Sequence, residues 1–140
     1  MKKLNICIID DSPMQTTLLQ AQLTHMFLNT GYELLFKIYE SADAACQSFR
    51  NNRFKPSNFS LIFLDYHMPR MSGLQFIEIA PGFGISLADI IMVTGDSCSA
   101  EQKEKNAEKA KQKGVETVLF KPSYLSELTQ EMARRFNFAC

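Results

Sequence analysis

What the chain has little of narrows the reading first. Neither sign of charge is in excess: lysine plus arginine number 15 and aspartate plus glutamate number 15. That balance gives no support for nucleic-acid binding by the chain as a whole. No apolar run approaches the roughly 20 residues of a membrane-spanning helix. The apolar stretch after Met1–Lys2–Lys3 is too short for a signal peptide and soon meets Asp10–Asp11. A soluble, cytoplasmic protein without membrane association is therefore expected. The cysteines are few, Cys7, Cys46, Cys98 and Cys140, and none has CxxC spacing. A zinc site is disfavoured, and reduced thiols are expected, two of them in apolar segments as small core residues. Internal repeats and low-complexity segments are absent too.

The chain has 140 residues, with 46% hydrophobic and 21% charged. It is long enough to bury a real core and too apolar to be disordered, so one domain over residues 1–140 is expected. Four apolar runs end on polar residues. Leu61–Ile62–Phe63–Leu64 runs into Asp65, and Ile6–Cys7–Ile8–Ile9 into Asp10–Asp11. Ile90–Ile91–Met92–Val93 ends in Thr94, and Val118–Leu119–Phe120 in Lys121. Uninterrupted runs of this length suit strands buried on both faces.

Helical patterns separate them. Ser12 is a helix cap and Pro13 suits a first turn; Leu19, Leu23, Met26 and Phe27 then recur at helical spacing. A second strand over Glu33–Tyr39 has a wetter face, as an edge strand would. Ser41 caps a helix with Ala42, Ala45 and Phe49 inward, and the polar link Asn51–Asn58 marks a small insertion. A short helix carries Leu74, Phe76, Ile77 and Ile79, stopped by Pro81–Gly82. The segment from Ser97 to Lys113 is densely charged, with only alanines to mark an inner face, so a solvated and loosely held helix is expected. Ser99 with Gln102 suits a capping box there. After Pro122, Leu125, Leu128, Met132 and Phe136 form an apolar stripe.

Five β-α units in succession predict an α/β fold: a parallel five-stranded sheet covered on both faces, in the flavodoxin-like order 2-1-3-4-5. In that topology Asp10, Asp11, Asp65, Thr94 and Lys121 gather on one rim. Clustered carboxylates repel, so at least one pKa should rise unless a cation binds. Hard carboxylate oxygens suit Mg2+. The Lys121 ammonium and the Thr94 hydroxyl are the groups that would hold a phosphoryl oxygen. Taken singly, each residue has a plainer use: an aspartate after a strand is commonly a cap or turn residue, Thr94 a turn residue, Lys121 a surface lysine. Their co-occurrence at four strand ends favours the chemical reading.

These residues resemble the receiver domain of two-component response regulators along almost the whole chain. The matching pieces are Asp10–Asp11–Ser12, the run from Leu64 through Asp65–Tyr66–His67–Met68–Pro69 to Gly73, Thr94–Gly95 and Phe120–Lys121–Pro122. The resemblance implies that Asp65 is the phospho-accepting nucleophile, with Thr94 and Lys121 reaching the phosphoryl group. It implies Mg2+ bound by Asp11, Asp65 and the backbone carbonyl of His67, with Asp10 acting largely through water. The donor would be a sensor histidine kinase or phosphotransfer protein. A downstream protein target would bind the face of the fourth helix, fifth strand and fifth helix. A cis Lys121–Pro122 bond is likewise implied. On this reading the chain is a phosphorylation-controlled binding module, not an enzyme acting on a separate substrate.

Departures accompany the match. Val118 stands where the family often has an aromatic ring that turns inward on activation. His67 and Asp96 occupy positions that tune dephosphorylation in the family. The stretch from Thr94 to Lys121 is longer than usual, which implies an unusual partner surface or weakened coupling. Three rivals follow. A degenerate receiver acting as a scaffold is kept alive by Val118. A haloacid-dehalogenase-type phosphatase would place its nucleophile first and its acidic pair last, the reverse of this order. A flavin-binding protein would need a phosphate-binding loop where Asp10–Asp11 would repel phosphate.

Overall fold

The computed structural model describes residues 1–51, 55–95, 99–121 and 124–139. Its strands are β1 (Lys2–Ile9), β2 (Tyr32–Tyr39), β3 (Leu61–Asp65), β4 (Ile90–Thr94) and β5 (Thr117–Phe120). Its α-helices are α1 (Pro13–Met26), α2 (Ala42–Arg50), α3 (Gly73–Ile79), α4 (Ala100–Gln112) and α5 (Leu125–Phe136). All strand pairs are parallel, and the sheet order is β2-β1-β3-β4-β5. The expected fold is the observed one.

The apolar runs explain the layering. In β3 and β4 every residue is buried, because helices cover both sides. One core packs α1 and α5 on the sheet through Leu19, Leu23, Leu128 and Met132 against Ile6, Ile8 and Phe63. The other packs α2, α3 and α4 through Phe49, Phe76, Ile77 and Ala110 against Cys7, Ile62, Leu64 and Met92. β2 is an edge strand and alternates in burial, with Leu35 and Ile38 partly in solvent.

Caps set where helices begin. The Gln15 N–H donates to Ser12 Oγ and the Ala44 N–H to Ser41 Oγ, as expected. A third cap was not foreseen. Ser72 and Gln75 form a reciprocal capping box that starts α3 directly after the loop leaving β3.

Two details differ from expectation. Leu125 was placed in the inward stripe of α5, yet it is 50% exposed. Helix α5 starts at that residue, so its inward face is carried by Leu128, Met132 and Ala133 further along. Helix α4 is not marked inside by alanines alone. Asn106 is buried beside Ala107 and Ala110, and its side chain reaches Thr94 and His67 outside the helix. Among the described residues no helix is long and apolar enough to cross a membrane.

Candidate functional site

Past the ends of β1, β3 and β5, the next residue makes one more backbone hydrogen bond. The Asp10 N–H donates to the Tyr39 carbonyl, Tyr66 N–H to Val93, and Lys121 N–H to Thr94. The ladder therefore runs one step past the regular strands and fixes the site backbones relative to one another. Gly73 sharpens this. A Cβ there would lie 2.6 Å from the Asp65 carbonyl oxygen and 3.1 Å from Tyr66 Cα. The Gly73 N–H donates to the Tyr66 carbonyl at 2.9 Å. Only a residue without a side chain lets α3 start this close to the end of β3.

The rim brings together the residues expected there. Asp10, Asp65, Thr94 and Lys121 are buried, and Asp11 is exposed. Asp10, Asp11 and Asp65 each offer a carboxylate oxygen within 4.8 Å of the others. Lys121 Nζ lies 3.1 Å from Asp10 Oδ2 and 3.7 Å from Asp65 Oδ1. Asp10 Oδ1 also accepts the Ser12 N–H at 2.9 Å, so one aspartate serves the site and the turn into α1. Asp65 Oδ1 is buried and has no hydrogen-bond partner among the described residues.

The electrostatics follow from that crowding. Burial pushes the Asp65 carboxyl up to about 7, with the Asp10 carboxylate adding to the rise. Lys121 opposes it, Asp11 adds to it, and a hydrogen bond from the His67 backbone N–H opposes it. Tyr124 lines a small cavity with Asp10, Asp65 and Lys121, and its phenol is raised by burial and then by Asp10.

Asn106 is the site neighbour that sequence reasoning missed. Its side-chain nitrogen lies 3.4 Å from Thr94 Oγ1 and 3.3 Å from His67 Nε2. Its side-chain oxygen accepts from Gln102 Nε2 at 2.8 Å. From the next turn towards the helix start, Lys103 Nζ donates to the Lys121 carbonyl at 2.8 Å. The signal was present in the spacing: Lys103, Asn106, Ala107 and Ala110 share one face of α4, and Gln102–Asn106 is an i,i+4 amide pair.

A sequence model of the response regulator receiver domain matches residues 6–133. The chain belongs to the response regulator receiver domain family. Three solved structures illustrate the likeness. The receiver is similar to a "probable two-component system response regulator/GGDEF domain protein", with 17% identity and a TM-score of 0.70. That match covers 96% of this chain and 49% of the other, so this chain spans about half of that protein. The chemotaxis protein CheY4 of Vibrio cholerae matches at 21% identity and TM-score 0.63, over 94% of this chain and 98% of that one. The receiver domain of NtrX from Brucella abortus matches at 20% and 0.66, over 96% and 99%. At these identities the likeness is one of fold.

Within the receiver, the donor set fits a divalent cation. Three carboxylates offer hard oxygens at close quarters, and one carboxylate oxygen is buried with no hydrogen-bond donor among the described residues. His67 enters through its backbone N–H on Asp65 and its ring on Asn106; the ligand expected of it is a different group, its carbonyl oxygen. Val118 lies on β5, partly buried against the core that α2, α3 and α4 share. Asp96, Cys98, Cys140 and the Lys121–Pro122 bond lie outside the described residues.

Proposed function

We propose that this receiver accepts a phosphoryl group on Asp65 and switches partner binding when it does so. Receiver domains work with histidine kinases or phosphotransfer proteins and with downstream effectors, and are in general signalling modules. The observation that carries the reading is the buried Asp65 Oδ1: no described residue hydrogen-bonds it, and an ammonium stands 3.7 Å away. An oxygen so placed is free to form a bond to phosphorus, and a positive charge is ready for the product.

The residues divide the work. A carboxylate oxygen of Asp65 attacks phosphorus, the P–N bond of a donor phosphohistidine breaks, and its electron pair returns to the imidazole, which takes up a proton. The product is an acyl phosphate on Asp65. Asp10, Asp11 and Asp65, with the His67 carbonyl, would hold Mg2+. Bound there, Mg2+ supplies positive charge that keeps Asp65 ionised below its metal-free pKa and offsets the charge of the phosphoryl oxygens. Lys121 leaves its contact with Asp65 for a phosphoryl oxygen, and Thr94 donates its hydroxyl proton to another. The output surface would be the face of α4, β5 and α5.

Intact-mass spectrometry at neutral pH, after incubation with acetyl phosphate, tests this directly. A single Mg2+-dependent phosphoryl adduct is expected, absent in Asp65→Ala. No adduct in the unaltered protein, together with no binding of beryllofluoride, would sink the reading and leave the scaffold as the function.

A further inference from the structure

A hydroxyl group has one proton, and what it accepts decides where that proton can go. Thr94 is fully buried, and among the described residues its hydroxyl has one hydrogen-bond partner, Asn106. Asn106 is itself 1% exposed on a helix whose other polar residues, Lys103 apart, are exposed. Burying an amide is costly unless its groups are paired, and here the pairing is specific. Its nitrogen serves Thr94 Oγ1 and His67 Nε2, and its oxygen is taken by Gln102 Nε2. The Thr94 oxygen is thus an acceptor towards α4, which leaves its proton to be donated elsewhere. Binding an anion at the rim requires that polarity, because a phosphoryl oxygen can only accept.

We propose that Asn106 is a positioning residue of the acceptor site. It fixes the Thr94 hydroxyl as a donor towards the phosphoryl group, and Gln102 keeps the Asn106 amide turned the right way. This rests on the reading of Asp65 as the phosphoryl acceptor. It also makes α4 part of the site: the helix is tied to it by an oriented amide and by Lys103 on the Lys121 carbonyl.

The experiment is a calorimetric titration of beryllofluoride at saturating Mg2+, beside a titration of Mg2+ alone. Asn106→Ala should weaken beryllofluoride about tenfold, the worth of a lost hydrogen bond to a charged group, with Mg2+ affinity unchanged. Asn106→Asp, of the same shape but able only to accept, should weaken it further. Gln102→Leu, at an exposed position that leaves the core intact, should weaken it about two- to threefold by freeing the amide to turn. In a Thr94→Ala background all three effects should collapse towards none. Wild-type affinity in Asn106→Ala and Gln102→Leu would overturn the proposal while leaving the acceptor reading standing. So would losses that persist undiminished without the Thr94 hydroxyl, since those would be structural. Failure of the unaltered receiver to bind beryllofluoride would overturn both.

Discussion

The two ends of the sheet are built on opposite principles. At the carboxyl end, Asp10, Asp65 and Lys121 are buried with Asp11 beside them, and among the described residues one carboxylate oxygen has no donor. At the amino end, Phe27, Tyr32, Phe136 and Phe138 close on one another. Phe27 meets Tyr32, Phe136 and Phe138 edge-on with ring centroids 5.9, 5.6 and 5.0 Å apart, and Tyr32 meets Phe136 at 5.7 Å. The Tyr32 hydroxyl donates to the Phe136 carbonyl, which joins the start of β2 to the end of α5. Edge-to-face rings add stability beyond the area they bury. Crowded carboxylates subtract from it. The receiver keeps its strain where a phosphoryl group would bind and its adhesion at the far pole.

Breaking the aromatic pole should have the largest effect. Phe27→Ala is expected to lower unfolding stability by about 3–5 kcal/mol in urea titrations, with the Mg2+ affinity of the folded protein unchanged. A fall in that affinity of more than a few-fold would show that the poles are not separable.

The strain at the charged pole should be visible next. Without metal, Asp65 has a raised carboxyl in the folded chain, about 7, against about 3.9 when unfolded. Between those values the unfolded chain has released the proton and the folded chain keeps it, so stability falls as pH rises through the window and levels off above it. Asp65→Asn removes that dependence. With chelator present, the variant should gain on the wild type from pH 4 to 8, reaching about 2–4 kcal/mol in its favour. A gap that stays constant across that range would refute the assigned strain.

The smallest expected effect is relief of the same strain by a cation. At pH 8 and a free Mg2+ concentration ten times its dissociation constant, the protein should gain about 1.4 kcal/mol. Asp11→Ala should lose most of this, read as the shift in melting temperature. A full Mg2+ shift in Asp11→Ala would remove Asp11 from the cation site.

Much of this plan was legible in the sequence, for local reasons. Uninterrupted apolar runs of strand length, serines ahead of periodic leucines and polar residues at the run ends are all short-range signals, and they were enough for β1 to β5 and for Asp10, Asp65, Thr94 and Lys121. What escaped depends on distance along the chain. Asn106 sits in a charged helix and reads as solvated. Its burial is justified by Thr94 and His67, distant in sequence and brought there by the crossover from β4. Leu125 looked like core because it falls on the period of Leu128 and Met132, but it is the first residue of α5 and is 50% exposed. The Ser72–Gln75 box was hidden by a loop rich in turn residues, where a serine carries little information by itself.

Gly73 bears on how such a protein can change over time. The spot its side chain would fill is taken by the backbone of Asp65 and Tyr66. A lineage that alters one residue at a time cannot replace that glycine without first displacing the residue proposed to carry the phosphoryl group. Position 73 is therefore as closed to drift as the acceptor itself, although it touches no ligand. On α4 the inner side, through Asn106, answers to the same chemistry, and the outer side answers to the proposed partner binding instead.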